Sequence, residues 1–453
     1  MENNMRISLK EKLAYSLGGV ACNVVWSAVG VFLIYYYTNV VGLAAAAAGT
    51  IMLISRIFDG ISDIIMGGII DKTKSRFGKA RPWLLWMAGP FALATFLLFA
   101  VPRDWNDTAK VIYAFITYNF VSTIAYTAIN LPYGVMIAIM TDNLKDRTQL
   151  NIFRMMGAFL MSVTANMIVI PLVKVFGNGN ETSPRGWTIT FAMLGIIAAC
   201  LFLLCFFGTK ERIHTEPKEK NALSIKKSLP ALFKNKFWVI CLITGAFGQM
   251  TAGLMGINPY FAQYFLKNIN MAGLLGLLYM APMLIGMPIA GIIIGKYGKR
   301  NTVMFGLIIG LAGFVIQLIN PYNFVFIAVG SVIKSFSISP MLACSFAMLA
   351  DVIDYHEWKN GLRSEGIVYS AASFGNKVGA GLGAAILGWS LYFGKYNSEL
   401  AVQPNSAMNA IIAGFIFIPL VLQIGNVLLY SQYKLDKIHP QIMEDLAKRR
   451  EAK

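Results

Sequence analysis

Charge is scarce in this 453-residue chain: Asp, Glu, Lys and Arg together make up 13%, against 57% hydrophobic residues. The mean hydropathy is +0.60. Soluble domains carry about 25% charged residues, so this composition excludes a soluble enzyme or a nucleic-acid-binding domain and leaves a polytopic membrane protein. Cysteine is also scarce. Cys22, Cys200, Cys205, Cys241 and Cys344 all fall in apolar runs without the spacing of a metal site or a disulfide frame, and read as small packing residues. The three histidines, His214, His356 and His439, fall in predicted loops or the tail, which excludes a histidine proton relay inside the membrane. There is no Walker loop, nucleophile elbow or HExxH motif, so ATP-driven pumping and hydrolysis lack their residues and the chain is not expected to be an enzyme. No resident cofactor is implied. The N-terminus lacks a short apolar core followed by a small-residue cleavage site, and the first helix is expected to be retained.

What the chain has in abundance is long apolar runs. Segments of roughly 20 or more apolar residues fall near 12–38, 43–70, 83–101, 110–140, 152–176 and 188–207. Six more fall near 237–266, 271–294, 302–319, 323–352, 367–393 and 407–430. The expected fold is therefore all-α, with about twelve transmembrane helices. Acids are the rarer sign of charge, 22 against 39 Lys and Arg, for a net +17. The excess sits in alternate loops: Lys72 to Arg81, Lys210 to Lys236, and Lys296 to Arg300. That is the positive-inside pattern, so both termini are expected in the cytoplasm of a bacterial-type inner membrane, and nucleic acid is excluded as a partner. The stretches GGIIDKTKSRFGKARP after the second run and GIIIGKYGKRN after the eighth echo each other. This echo suggests two parallel six-helix halves, the pattern of a major facilitator transporter with substrate bound between the halves. The divisions are 1–208, a central loop 209–236, 237–430, and a tail 431–453 expected to be solvated. Nothing demands more than a monomer.

Within the second run, Arg56, Asp59 and Asp63 lie one helical turn apart and project to one face. Ionised groups at that depth are costly and mark ion or substrate paths, so this face reads as a cation site lining a transport pathway. Arg56 is a candidate for the pathway or a neutralising partner of Asp59. Cations outnumber acids in the membrane: Arg56, Arg154, Lys334 and Lys377 against Asp59 and Asp63, which favours a negatively charged substrate. Lys377 is too deep to reach the interface, whereas Arg154, just inside its helix end, and Lys334 could extend to it. Sugar rings stack on aromatics, which makes Trp26 and Tyr126 candidates beside Asn23 and Asn130. Tyr126, Asn130 and Tyr133 share one helix face, and the run Tyr35 to Tyr37 reads as an interfacial belt.

RIFDGISDIIMG followed by DKTKSRFGKARPW, then YTAINLPYG, then ADVIDYHEWKNGLRSEGIVYS with Lys377, resembles the glycoside-pentoside-hexuronide:cation symporter family, which includes melibiose permease. The resemblance spans the whole chain. It implies a major facilitator fold and cation-coupled uptake of a sugar by alternating access. Carried over by position, it places a cation site on Asp59, Ser62, Asp63 and Thr127, with Asp59 and Asp63 as metal ligands if the cation is sodium. It places a sugar site on Asn23, Tyr126, Asn130, Arg154, Ser373 and Lys377. Melibiose permease has acids where this chain has Asn23 and Asn130, so the site here is more positive. INLPYG and EGIVYS resemble the family's glucuronide carriers, which favours a hexuronide. Ser62 stands where melibiose permease has asparagine and reaches less far, which favours a proton over sodium. An exchanger or exporter of an organic anion such as a sulfonated sugar, or a symporter of a neutral glycoside, would use the same framework.

Overall fold

The structure, a computed structural model, describes residues 7–213, 232–360, 365–400 and 402–451. His214 and Lys218, Lys220, Lys226 and Lys227 of the central loop lie outside the described residues. The described chain is helical, with no strand among the described residues. The N-terminal six helices are α1 (Leu9–Val40), α2 (Ala45–Lys72), α3 (Arg81–Leu98), α4 (Asp107–Met140), α5 (Leu144–Phe176) and α6 (Pro184–Gly208). The second six are α7 (Lys236–Tyr264), α8 (Met271–Tyr297), α9 (Lys299–Ile319), α10 (Phe324–Asn360), α11 (Glu365–Phe393) and α12 (Asn405–Ser431), and a tail helix α13 (Leu435–Glu451) follows. Among the described residues, nine helices are long and apolar enough to cross a membrane; α2, α3 and α11 are the other three of the twelve.

A helix in hydrocarbon must satisfy its own backbone, and its ends need side chains to finish the work. Ser8, Asn106, Asn143, Ser183 and Asn235 cap five of these helices by accepting from backbone N–H groups of the first turn. The echoed Gly-Lys turns are built alike. Gly78 and Gly298 both take positive φ, 104° and 80°, a conformation open to glycine without strain. Glu211, just past α6, accepts from the backbone N–H groups of Lys79, Ala80 and Arg81; Asp436, just past α12, accepts from that of Arg300. Arg81 donates to the carbonyl of Phe206, and Arg300 to those of Tyr430 and Ser431. Each device ties the start of a third helix to the end of a sixth.

The first six helices and the second six meet along α2–α11 and α5–α8. The approach is closest at the end away from the basic loops. A Cβ on Gly273 would lie 2.6 Å from the Asn166 carbonyl oxygen, and one on Gly49 3.0 Å from the Ala385 Cα. Towards the basic end a Cβ on Gly67, Gly68, Gly291 or Gly295 of α2 and α8 would meet nothing within 4 Å, and Ile64, Ile65 and Ile292 are exposed. The tight backbone contacts between the two groups therefore lie at the end away from the basic loops.

Four sequence expectations change. The tail is docked, not solvated: Leu435, Ile442 and Leu446 are buried against α7 and α10 around Trp238, Met348 and Tyr433. Trp358 donates to Asp445 at 3.0 Å, and Arg449 donates back to the Trp358 carbonyl. The spacing of these apolar residues is a helical stripe, too short to span a membrane but long enough to pack on the bundle. Tyr35, Tyr36 and Tyr37 are fully buried rather than interfacial. They sit where α1 widens into a π-helical turn and bond to Gln263, the Val101 N–H and the Ala114 carbonyl. α10 runs on past the predicted end, so His356 lies in its last turns, buried, rather than in a loop. α5 begins at Leu144, not near 152, so Arg154 stands almost three turns inside the helix rather than near its start.

Two outcomes follow from this packing. Gly273→Val forces a branched side chain into the Asn166 backbone, an overpacking cost of about 1–3 kcal/mol, worth roughly a 5- to 150-fold shift in the closed-end population. Spin labels on α5 and α8 near that end should report a longer distance, and an unchanged distribution defeats the assignment of the seam. Leu446→Ala should cost about 2–5 kcal/mol of local packing, seen as a lower melting temperature and faster proteolysis of the tail.

Candidate functional site

The site is built from α2 outward. Arg56, Asp59 and Asp63 share one face, and Asp59 is only 2% exposed. Arg56 reaches Asp59 at 3.4 Å. From α11, across the seam, comes Lys377: its Nζ donates to Asp63 Oδ2 at 2.5 Å and to the Asp59 carbonyl at 3.0 Å, and stands 3.6 Å from Asp59 Oδ2. From α4 comes Thr127, whose hydroxyl lies 3.2 Å from Asp59 Oδ1 and 3.4 Å from Asp63 Oδ1. A hydroxyl has one proton to give, so it serves one carboxylate at a time. Ser62 donates to the Asp59 carbonyl at 3.0 Å and lies 3.4 Å from Thr127 Oγ1. The four residues assigned a cation role by resemblance therefore converge, and an ammonium group stands among their oxygens.

One detail had no sequence signal. Thr127 follows a π-helical stretch, Phe120–Tyr126, and the extra residue per turn sets the direction in which Thr127 points; such bulges gather at functional sites. The charges also close: two cations, Arg56 and Lys377, face two acids, Asp59 and Asp63. Among the described residues no group of three His, Cys, Asp or Glu side chains is placed to hold a metal ion, so any metal here would rest on hydroxyls and carbonyls as much as on acids.

The sugar-side residues gather one step along α1 and α4. Trp26 and Tyr126 stack with centroids 4.3 Å apart and planes at 12°, and the Arg56 guanidinium lies 4.5 Å over Trp26. This stack joins the acid cluster to a second group one and two turns further along α4. There Asn130 accepts from Cys22 Sγ at 3.8 Å, and the Arg154 guanidinium lies 5.0 Å over Tyr133. Tyr126, Asn130 and Tyr133 all face α1, Tyr133 through its stack on Tyr15. Asn23 donates to the Gly19 carbonyl and accepts from Ser162 at 3.1 Å. Ser162 was missed by sequence reasoning; it lies eight residues after Arg154 on the same face of α5. Ser373 is exposed, one turn before Lys377 on α11. Lys334 does not join: it lies inside the second six helices, bonded to Gln317 at 2.8 Å. Asp351 and Asp354 join His439 of the tail and Lys299 at the basic end, away from this site.

The geometry is that of a buried cluster of charged, hydroxyl and aromatic side chains shared between the two six-helix groups, and comparison with known proteins says what kind of protein carries it. Residues 14–437 match the MFS/sugar transport protein family. The isoprimeverose transporter of Lactiplantibacillus pentosus is 35% identical over 445 residues, covering 96% of this chain and 91% of that protein. The glucuronide carrier protein homolog of Escherichia coli K12 is 30% identical over 414 residues, covering 89% and 88%. Among solved structures, a bacterial homologue of the human lysosomal transporter Spinster superposes with a TM-score of 0.69 at 15% identity, covering 96% of this chain and 97% of that one, a likeness of fold. The chain therefore belongs to the MFS/sugar transport protein family: it is a multi-pass membrane transporter with the major facilitator fold, a cation-coupled sugar symporter of the glycoside-pentoside-hexuronide kind and not an enzyme.

Proposed function

We propose that this symporter carries an acidic sugar, a hexuronide, together with a proton that loads the Asp59–Asp63 pair. The observation that carries this reading is the Lys377 ammonium held 2.5 Å from Asp63. Arg56 and Lys377 already balance Asp59 and Asp63, so a proton arriving on an acid leaves the site with one positive charge in excess. An unpaired charge in a low-dielectric cavity is costly. The excess is removed if a sugar carboxylate enters and takes Lys377 as its partner. Proton and acidic sugar then stabilise each other's binding, which is coupling by linkage and is reciprocal. Arg154 would meet the sugar from the other side, Asn23 and Asn130 its hydroxyls, and the Trp26–Tyr126 stack its ring face, with Ser373 at the opening. The carbonyl of Asp59 and the hydroxyls of Ser62 and Thr127 favour a second reading, sodium in place of the proton, since a hard cation uses such oxygens and a proton does not need them.

The positive-inside pattern supports a cytoplasmic position for the basic end and both termini. On that orientation the close contacts at Gly49 and Gly273 lie towards the outside, which supports reading the bundle as an inward-open state. The divisions 1–208, 209–236, 237–430 and 431–453 are the corresponding halves, connecting loop and tail, and one polypeptide contains the whole pathway.

Uptake by proteoliposomes of a labelled glucuronide and a labelled neutral xyloside, under a proton gradient or a sodium gradient applied separately, tests this. Glucuronide accumulation on protons alone is expected, and accumulation of only the xyloside overturns the acidic-sugar reading. Asp59→Asn and Asp63→Asn should abolish accumulation against a gradient while leaving sugar exchange across the membrane. Accumulation that survives both substitutions defeats the coupling role. Arg154→Gln should raise the glucuronide KM at least about tenfold, equivalent to about 1.4 kcal/mol of lost interaction, with a much smaller change for a neutral glycoside.

A further inference from the structure

Lys334 is the buried cation that the transport site leaves unused. It is 7% exposed, well inside α10, and no carboxylate among the described residues lies within ion-pair distance. Its ammonium donates to Gln317 Oε1 at 2.8 Å and lies 4.2 Å from the centroid of the Phe314 ring and 5.3 Å from that of Phe415. Gln317 is itself fixed, donating to the Ile327 carbonyl and to Ser331. An ammonium has three protons to donate. One amide oxygen and two ring faces soften its burial but supply no opposite charge.

Beside it is a cavity of about 80 Å³ between α7, α8, α9, α10 and α12, lined by Lys334, Phe314 and Phe415 together with Asn258, Tyr279 and Asn426. Asn258 and Asn426 are each 6% exposed. The Asn426 side-chain oxygen is buried with no hydrogen-bond partner, so nothing fixes which face of that amide looks into the cavity, and turning it over presents N–H donors. A space that holds a charged donor, amides and a phenol, and no acid, is complementary to a negative charge. Its size decides which kind. Space of about 10–15 Å³ on this measure holds one water, and a cavity of about 150 Å³ binds benzene, so about 80 Å³ suits one small ion together with a few waters. The few donors and the aromatic walls suit a weakly hydrated halide rather than an oxyanion, which would need many more.

We infer that the second six helices contain an anion site, built on Lys334 and Asn426, that holds a chloride-sized monovalent ion and is separate from the sugar and cation site. The inference is independent of which sugar is carried.

The test uses the full-length purified protein in detergent, with chloride replaced by gluconate at constant ionic strength and then titrated with sodium bromide. The wild-type melting temperature is expected to rise saturably with bromide. Lys334→Met should lose that rise entirely, and Asn426→Leu should need at least about tenfold more bromide; the second variant keeps the test open should the first not fold. Diffraction at the bromide edge should place an anomalous peak beside Lys334 Nζ. The inference is overturned by a wild-type protein indifferent to bromide, by equal bromide response in the Asn426→Leu variant, by a cavity holding water alone, or by displacement of bromide on adding a glucuronide, which would make Lys334 part of the sugar site.

Discussion

The ion pair of Lys377 with Asp63, reinforced by the hydrogen bond to the Asp59 carbonyl, is the interaction on which the rest depends. It crosses from α11 to α2 and so belongs to both six-helix groups. The side chains of Lys377 and Asp63 are 22% and 30% exposed, whereas that of Asp59 is 3% exposed. On the coupling proposed above, the shared ammonium is therefore the contact whose release needs new partners, the deeper acid most of all. Everything nearby fits that constraint. Arg56 neutralises the second acid and lies over Trp26, and Thr127 is aimed at both carboxylates by a π-helical turn. Seam packing at Gly49 and Gly273 brings the two groups into backbone contact at the end away from the basic loops.

The basic end is held differently, by backbone capping rather than by buried ions. Glu211 and Asp436 each bond to the start of a third helix, and Arg81 and Arg300 each bond to the end of a sixth. Because each device lies wholly within one six-helix group, it can stay intact while the two groups rock about the seam. Rigid groups joined by a few switchable contacts are what alternating access requires. The docked tail adds to one group only, tying α13 to α10 through Trp358 and to the basic end through His439.

Much of this was legible in the chain itself, because hydrocarbon imposes strict rules on sequence. Apolar run lengths located the helices, missing mainly the start of α5 and the end of α10, and Arg56, Asp59 and Asp63, spaced three and four apart, marked the face on which Thr127 and Lys377 converge. The Gly-Lys echo marked two turns that prove to share a positive φ. What stayed hidden has physical causes. A π-helical turn adds one residue without altering composition, so neither the aim of Thr127 nor the burial of Tyr35 to Tyr37 could be read from a 3.6-residue period. The start of α5 at Leu144 lay in a polar stretch, NLKDRTQLN, that a hydropathy scan discards; this extension places Arg154 within the body of the helix rather than near its first turn. The tail's stripe of Leu435, Ile442 and Leu446 was present, but a stripe that short says nothing of what it packs against. That Lys334 lies apart from Lys377 is a matter of which face of α10 looks inward, and a single lysine in an apolar run does not disclose it.

The two buried lysines answer the same problem in opposite ways. Lys377 has its counter-charges supplied by the protein across the seam between the two groups, so on the coupling proposed above its neutrality is conditional and can be traded against a proton or a substrate carboxylate. Lys334 has an amide, two ring faces and a polar space within the second six helices, so the anion inferred above would balance it away from the seam. A charge at a moving interface is suited to coupling, and a charge within a rigid body is suited to holding that body together. The positions of the two residues, one on the seam and one away from it, therefore separate the transport cycle from the architecture that carries it.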